Sequence, residues 1–226
     1  MTAFGPPQSV ATCRHGGRAE VDTTPARGPK TRRLPREERR KQLLDAAHQV
    51  FVAHGYHGAA MDEIADVALV SKPVLYQHFP GKRELYLALL DAHLESLTAL
   101  MLAAIGSTTD NKLRVQATIR AYFEFISQDS QAHRLVFESD LMNDPEVSAR
   151  LEAFNAKFAS AIADVIAEDT KLPRPQALLL GRALAGMAQV SARYWLELEE
   201  HVDLDDASEL VSRLAWRGIG RFPKEP

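Results

Sequence analysis

The chain has 226 residues, 46% of them hydrophobic and 25% charged, with a formal net charge of −3; that balance suits a globular protein with a real core in one or two domains. Its single cysteine, Cys13, excludes an intramolecular disulfide. There is no secretory apolar stretch near the start, and the longest apolar run, around residues 177–192, is interrupted by Arg182, so a cytoplasmic protein is expected.

Residues 1–35 are rich in Gly, Pro, Thr and Arg and lack an apolar period, which predicts a disordered basic tail. Its cations Arg14, Arg18, Arg27, Lys30, Arg32 and Arg33 could add phosphate affinity without sequence preference. Helical periodicity starts after Pro35, where Leu43, Leu44, Ala47, Val50 and Phe51 form one stripe. Gly55 offers a left-handed stop. Met61, Ile64, Ala65 and Ala68 repeat the helical step, with Asp62 and Glu63 in the first turn, where the dipole favours them. After a break at Leu69 and Val70, Ser71 can cap a third helix whose first turn admits Pro73.

That third helix, ending near Phe79, is too short to build a core. It carries Lys72, Tyr76, Gln77 and His78, groups suited to phosphates and base edges. Two short helices across a tight turn, the second one polar, predict a helix-turn-helix DNA reader. Lys72, Pro73 and Gln77 sit where such helices meet the major groove; Gln suits adenine and Lys suits guanine. Charge agrees, because residues 1–83 hold 13 Lys+Arg against 8 Asp+Glu, and the remainder 14 against 22. A basic head on an acidic body points to a phosphate-facing N-terminal third.

Pro80-Gly81-Lys82 closes this unit, so residues 36–83 are expected to form the DNA-binding domain and residues 84–226 a larger helical one. Helices are expected near Tyr86–Leu100, Asn111–Gln128, Ser130–Glu138, Pro145–Glu168, Gln176–Glu199 and Asp205–Gly218, with no alternating strand pattern. The fold class is therefore all-α, with nine or ten helices. The stretch 176–199 is apolar almost all round, which predicts burial on more than one side, and Gly181, Ala185 and Gly186 would let a neighbour approach closely. The eight histidines show no metal-ligand spacing, and Asp203, Asp205 and Asp206 read as a helix cap. No catalytic residue and no metal site is expected, nor a cofactor.

The motif residues Gly55-Tyr56, Met61, Ile64-Ala65, Val70-Ser71, Leu75-Tyr76, His78-Phe79 and Lys82 resemble the TetR family over residues 36–90. The resemblance implies a three-helix head on a helical ligand-binding and dimerisation body. It implies that Tyr76, His78 and Lys82 hold DNA phosphates, with Ser71 also among the DNA-binding residues. It also implies a homodimer on a palindromic double-stranded operator, paired through Leu180, Leu184, Ala185, Met187, Tyr194, Leu210, Leu214 and Ile219. The segments 34–40, Thr108–Asn111, Asp129–Gln131 and Ala192–Leu196 further resemble an actinobacterial branch that activates fatty-acid synthase genes and answers to long-chain acyl-CoA.

On periodicity alone, Leu97, Leu100, Met101, Phe123, Ile126, Phe137, Phe154, Phe158, Leu184 and Met187 read as core. The resemblance offers them as the lining of an acyl tunnel. Two other readings stand beside this one: a repressor of an efflux or catabolic operon answering to another hydrophobic molecule, and a helical acyl-binding protein or enzyme with a vestigial reader. The chain departs from the family at Leu69, where a glycine is usual and a positive φ would cost leucine about 1 kcal/mol. It departs also at Ala59 and Ala60, which replace a capping Ser or Thr and leave backbone N–H groups and the helix dipole to meet phosphate.

Overall fold

A computed structural model describes residues 34–128, 141, 143–198, 200 and 202–219, with the side chain of residue 219 left aside. The tail ahead of residue 34, the helix expected at 130–138 and with it Phe137 lie outside the described residues. Among the described residues the chain forms eight helices and no strand: α1 (Arg36–Gly58), α2 (Met61–Val67), α3 (Lys72–His78), α4 (Lys82–Gly106), α5 (Asn111–Gln128), α6 (Pro145–Thr170), α7 (Arg174–Glu197) and α8 (Leu204–Ile219).

Local chemistry sets most of the boundaries. Asp144 caps α6, its carboxylate accepting from the N–H groups of Glu146 (2.9 Å) and Val147 (3.3 Å), with Pro145 in the first turn where its missing N–H costs nothing. Asp110 does the same for α5, accepting from Leu113 N–H at 2.9 Å. Arg114 closes the α4–α5 corner by donating to the carbonyls of Ile105 and Thr108, both at 2.8 Å, and to the Asn111 side chain. Gly55 takes the expected left-handed backbone (φ 67°), yet it kinks α1 instead of ending it: helical bonding resumes, and Ala59 N–H reaches the Gly55 carbonyl at 3.2 Å. The continuation is held by Tyr56, whose ring packs 6.0 Å from Phe51 and 5.3 Å from Tyr86.

One apolar cluster runs from Leu43 in α1 to Ala215 in α8. The domain boundary expected at residue 83 falls inside the first turn of α4, which buries Leu85, Tyr86, Leu89 and Leu90 beneath the head and Leu97 and Met101 within the body. An ionic joint adds to this. Arg83 at the start of α4 donates to both oxygens of Asp144 (each at 3.0 Å) and lies 3.5 Å from Glu146. Arg150 of α6 reaches back to Asp91 at 2.8 Å and to Glu146 at 3.3 Å. Burial pushes the Asp144 carboxyl up, but the Arg83 guanidinium and the two capping N–H groups outweigh it and hold the carboxyl below its ordinary 3.8.

Helices α6 and α7 lie side by side, and Gly181 is the reason they can approach. A methyl added there would run into the carbonyl oxygen of Ala159 and crowd the Ala163 nitrogen at 3.3 Å. The small residue thus serves a contact inside this chain. Alanine's better helix propensity is worth at most about 1 kcal/mol, whereas overpacking against a backbone group that cannot rotate away costs about 1–3 kcal/mol. Gly181→Ala should therefore destabilise the protein by about 1–2 kcal/mol, read as a lower denaturant midpoint at unchanged m-value.

Candidate nucleic-acid interface and ligand cavity

The head is built around α3. Leu75 and Phe79 point inward and are fully buried, while Ser71, Lys72, Pro73, Tyr76 and Gln77 are exposed. Positions 72, 73, 76 and 77 fall on one helical face, so every side chain expected at base edges is brought together on the surface with Tyr76, which is 47% exposed. Ser71 takes the N-cap position, but its side chain makes no capping hydrogen bond; its carbonyl receives Val74 N–H at 2.9 Å. The residue is exposed. Lys72 is ion-paired with Asp62 of α2 at 2.6 Å, and its bond to that carboxylate raises its pKa above the ordinary value.

Lys82 is drawn partly inward. Its ammonium donates to the carbonyls of Ala59 (2.9 Å) and His57 (3.2 Å) and lies 4.8 Å from the Tyr56 ring centre, so it braces the α1–α2 corner with most of its hydrogen-bonding capacity. His78 is half-buried beside Phe79. Burial first, then the charges of Arg36, Arg40 and Arg39, lower its pKa, against a smaller opposing effect of Glu37. The imidazole is therefore neutral at pH 7 and offers an uncharged N–H. Those arginines are functional candidates that motif reading passed over. Their signal was a run of cations in the first turns of α1, and only the packing of α1 on Phe79, with Arg40 4.7 Å from that ring centre, sets them beside α3.

The α2–α3 corner keeps a left-handed residue at Leu69 (φ 53°). Leu69 N–H bonds to the Asp66 carbonyl and Val70 N–H to the Ala65 carbonyl, both at 3.0 Å, while Gln42 of α1 donates to the Ala68 carbonyl at 2.7 Å. This is the Schellman pattern that ordinarily ends on glycine. The leucine side chain gains nothing in return, being 88% exposed. At the start of α2, Ala60 makes no side-chain cap, in line with the departure noted from the sequence.

In the body, a cavity of about 320 Å³ opens between the end of α4 and α5, α6, α7 and α8. Its apolar wall includes Ile105, Ile119, Ile162, Ile166 and Trp216, with Asn111, Arg114, Thr118, Asp169 and Thr170 as polar members. Of the expected lining, Phe158 and Leu184 are there. Leu97, Met101, Phe123, Ile126 and Phe154 are instead packed in the core, Leu100 is exposed and Met187 half-buried; none of these lines the cavity. Bulky side chains fill space instead of bounding it. The space left open is walled chiefly by β-branched residues.

The expected pairing surface is also redrawn. Tyr194, Leu210 and Leu214 are exposed, but Ala185 faces inward, and Leu180, Leu184 and Met187 are half-buried. Leu179 (71% exposed) and Val190 extend the α7 stripe through Ala183, Gly186 and Tyr194. Large apolar groups exposed along one helix face, here Leu179, Val190 and Tyr194, mark an interaction surface.

Residues 43–89 match the family model described as bacterial regulatory proteins, tetR family. The HTH-type transcriptional activator FasR of Mycolicibacterium smegmatis is 46% identical over 191 residues, covering 84% of this chain and 87% of that protein. Among solved structures, a TetR-like transcriptional regulator from Rhodococcus superposes with a TM-score of 0.66 at 26% identity, covering 84% of this chain and all of that one. FadR of Bacillus subtilis, solved in complex with stearoyl-CoA, superposes with a TM-score of 0.67 at 18% identity, covering 77% of this chain and 96% of that one, a likeness of fold.

The strained corner yields a direct test. A left-handed leucine costs about 1–2 kcal/mol, and the extra freedom that glycine brings to the unfolded chain offsets about 0.4–1 kcal/mol. Leu69→Gly should stabilise the protein by about 0.5–1 kcal/mol, seen as a rise in melting temperature.

Proposed function

Since this chain belongs to the TetR family of bacterial regulatory proteins and is a DNA-binding transcriptional regulator and not an enzyme, we propose that it controls fatty-acid or lipid synthesis genes in response to a long-chain acyl-CoA. One observation carries the reading: an apolar cavity sits at the far end of the same helix that carries the reader. The likeness to FasR and the stearoyl-CoA held by the B. subtilis FadR fold support an acyl occupant. At about 320 Å³ the cavity is at the small end for ligand sites. It suits an alkyl tail, with the nucleotide headgroup left outside.

Residues 36–83 act as the reader and 84–226 as the ligand-binding and pairing body. Two copies pair through the exposed faces of α7 and α8 and present their α3 helices to a palindrome whose half-sites lie about 34–36 Å apart or a multiple of that. Lys72, Pro73 and Gln77 meet bases, while Ser71, Tyr76, His78 and Lys82 meet the backbone. Lys72 must leave Asp62 to do so, at little cost, because both partners are exposed and such pairs are weak in water. Helix α4 is about 37 Å long by its residue count. A tail that favours one tilt of Ile105 shifts the population of head positions through Arg83 and Lys82. A regulator working on DNA in a bacterium implies the cytoplasm.

A gel shift with the protein's own upstream DNA and with a fatty-acid-synthase promoter, each with and without palmitoyl-CoA, tests this. Operator binding that changes with the thioester is expected. Binding indifferent to it would favour an efflux- or catabolism-type regulator, and binding to neither DNA at low salt would favour an acyl carrier.

On the operator, Gln77→Ala should cost about 1–3 kcal/mol and relax the choice at one base pair, leaving random DNA unaffected. Tyr76→Phe should weaken operator and random DNA alike. Fluorescence anisotropy titrations on both duplexes read the difference.

A further inference from the structure

The cavity holds one polar group that the fold leaves unsatisfied. Thr118, on α5, lines it and is 8% exposed; its hydroxyl oxygen is turned away from the open space and has no hydrogen-bond partner among the described residues. Buried hydroxyls are nearly always paired, and an unpaired one is a standing cost that an apolar residue of the same shape would avoid. Thr118 therefore resembles one half of a hydrogen bond whose other half arrives with the ligand.

The neighbours indicate which group that is. Along α5 the lining passes from Asn111 and Arg114 to Val115, Thr118 and Ile119, so Thr118 lies about 6 Å beyond Arg114 along the helix. Arg114 is already clasped by the carbonyls of Ile105 and Thr108. On α6 the lining passes from Thr170 and Asp169 at the helix end to Ile166, Ile162 and Phe158, about 18 Å away. Both walls thus grade from polar to apolar, and Thr118 stands where the polarity ends. An ionised carboxylate at that depth would lack a charge partner at Thr118 itself. A neutral carbonyl needs only one donor.

We propose that Thr118 is the specificity-determining residue for the acyl thioester: a turn about its Cα–Cβ bond, which breaks no hydrogen bond, brings its hydroxyl into the cavity to donate to the thioester carbonyl oxygen, with the alkyl chain toward Ile162 and Phe158 and the headgroup leaving past Arg114. This rests on the acyl-CoA reading above and adds to it the atom that is recognised.

The test compares palmitoyl-CoA with S-hexadecyl-CoA, which has the same headgroup and chain length but no carbonyl, and with palmitate. Calorimetric titration of the full chain is done for wild type, Thr118→Val and Thr118→Ser. A single uncharged hydrogen bond predicts that wild type prefers the thioester over the thioether about three- to tenfold. Thr118→Val should erase that preference, leave thioether affinity unchanged and leave the melting temperature of the free protein unchanged or raised, because no bond is lost. Thr118→Ser should retain the preference. A preference that survives in Thr118→Val, or a loss of both affinities together with a lower melting temperature, overturns the assignment. So does wild type binding thioester and thioether equally, or palmitate as tightly as palmitoyl-CoA. Wild type binding none of the three overturns the acyl reading itself, and this one with it.

Discussion

The ammonium of Lys82 ties the reader to the helix beneath it. A helix ends with carbonyls that have no partner in the helix and with the negative pole of its dipole. At the end of α1 those conditions meet the first turn of α4, and Lys82 answers the carbonyls of His57 and Ala59 together, with the Tyr56 ring below it. Tyr56 in turn lies between Phe51 of α1 and Tyr86 of α4. The position of α2, and through its corner that of α3, is thereby set relative to α4. The exposed face of α3 depends on this brace for its direction, since a helix of seven residues has too little surface to fix its own.

The same helix meets the body through charge and through packing. Leu97 and Met101 are locked in the core, whereas Arg83, Asp144, Glu146, Arg150 and Asp91 form an ionic joint that is partly open to solvent. Interdigitated side chains resist gradual displacement. Ion pairs among long side chains re-form over small shifts with little penalty. The ionic joint leaves small adjustments between α4 and α6 inexpensive, whereas the buried Leu85, Tyr86 and Leu90 under the head and Leu97 and Met101 in the body hold α4 firmly at both ends.

Much of the head was legible because its signals are local. Periodicity, Pro73 and the spacing of Leu75 and Phe79 suffice to define α3, and Leu69 announced its strain by standing where glycine is usual. Gly55 was half legible: its positive φ followed from residue type, but whether the helix resumed depended on the aromatic packing of Tyr56. The body was legible only as helices. Arg83 and Asp144 are 61 positions apart, and no local pattern joins them. In α7, apolar on nearly all sides, the sequence could not separate Leu179 and Val190, which face solvent, from Ala185, which does not. The cavity was hardest, because a void is the absence of side chains, and large residues such as Phe123 and Phe154 mark where it is not.

The half-buried imidazole of His78 carries a consequence for solution conditions. Its proton is held off by burial and by the field of Arg36, Arg40 and Arg39. A phosphate seated against those guanidiniums would weaken their field but leave burial, the larger cause, in place. An anion beside the arginines would therefore raise the ring's affinity for a proton, but the part of the depression that comes from burial would stay.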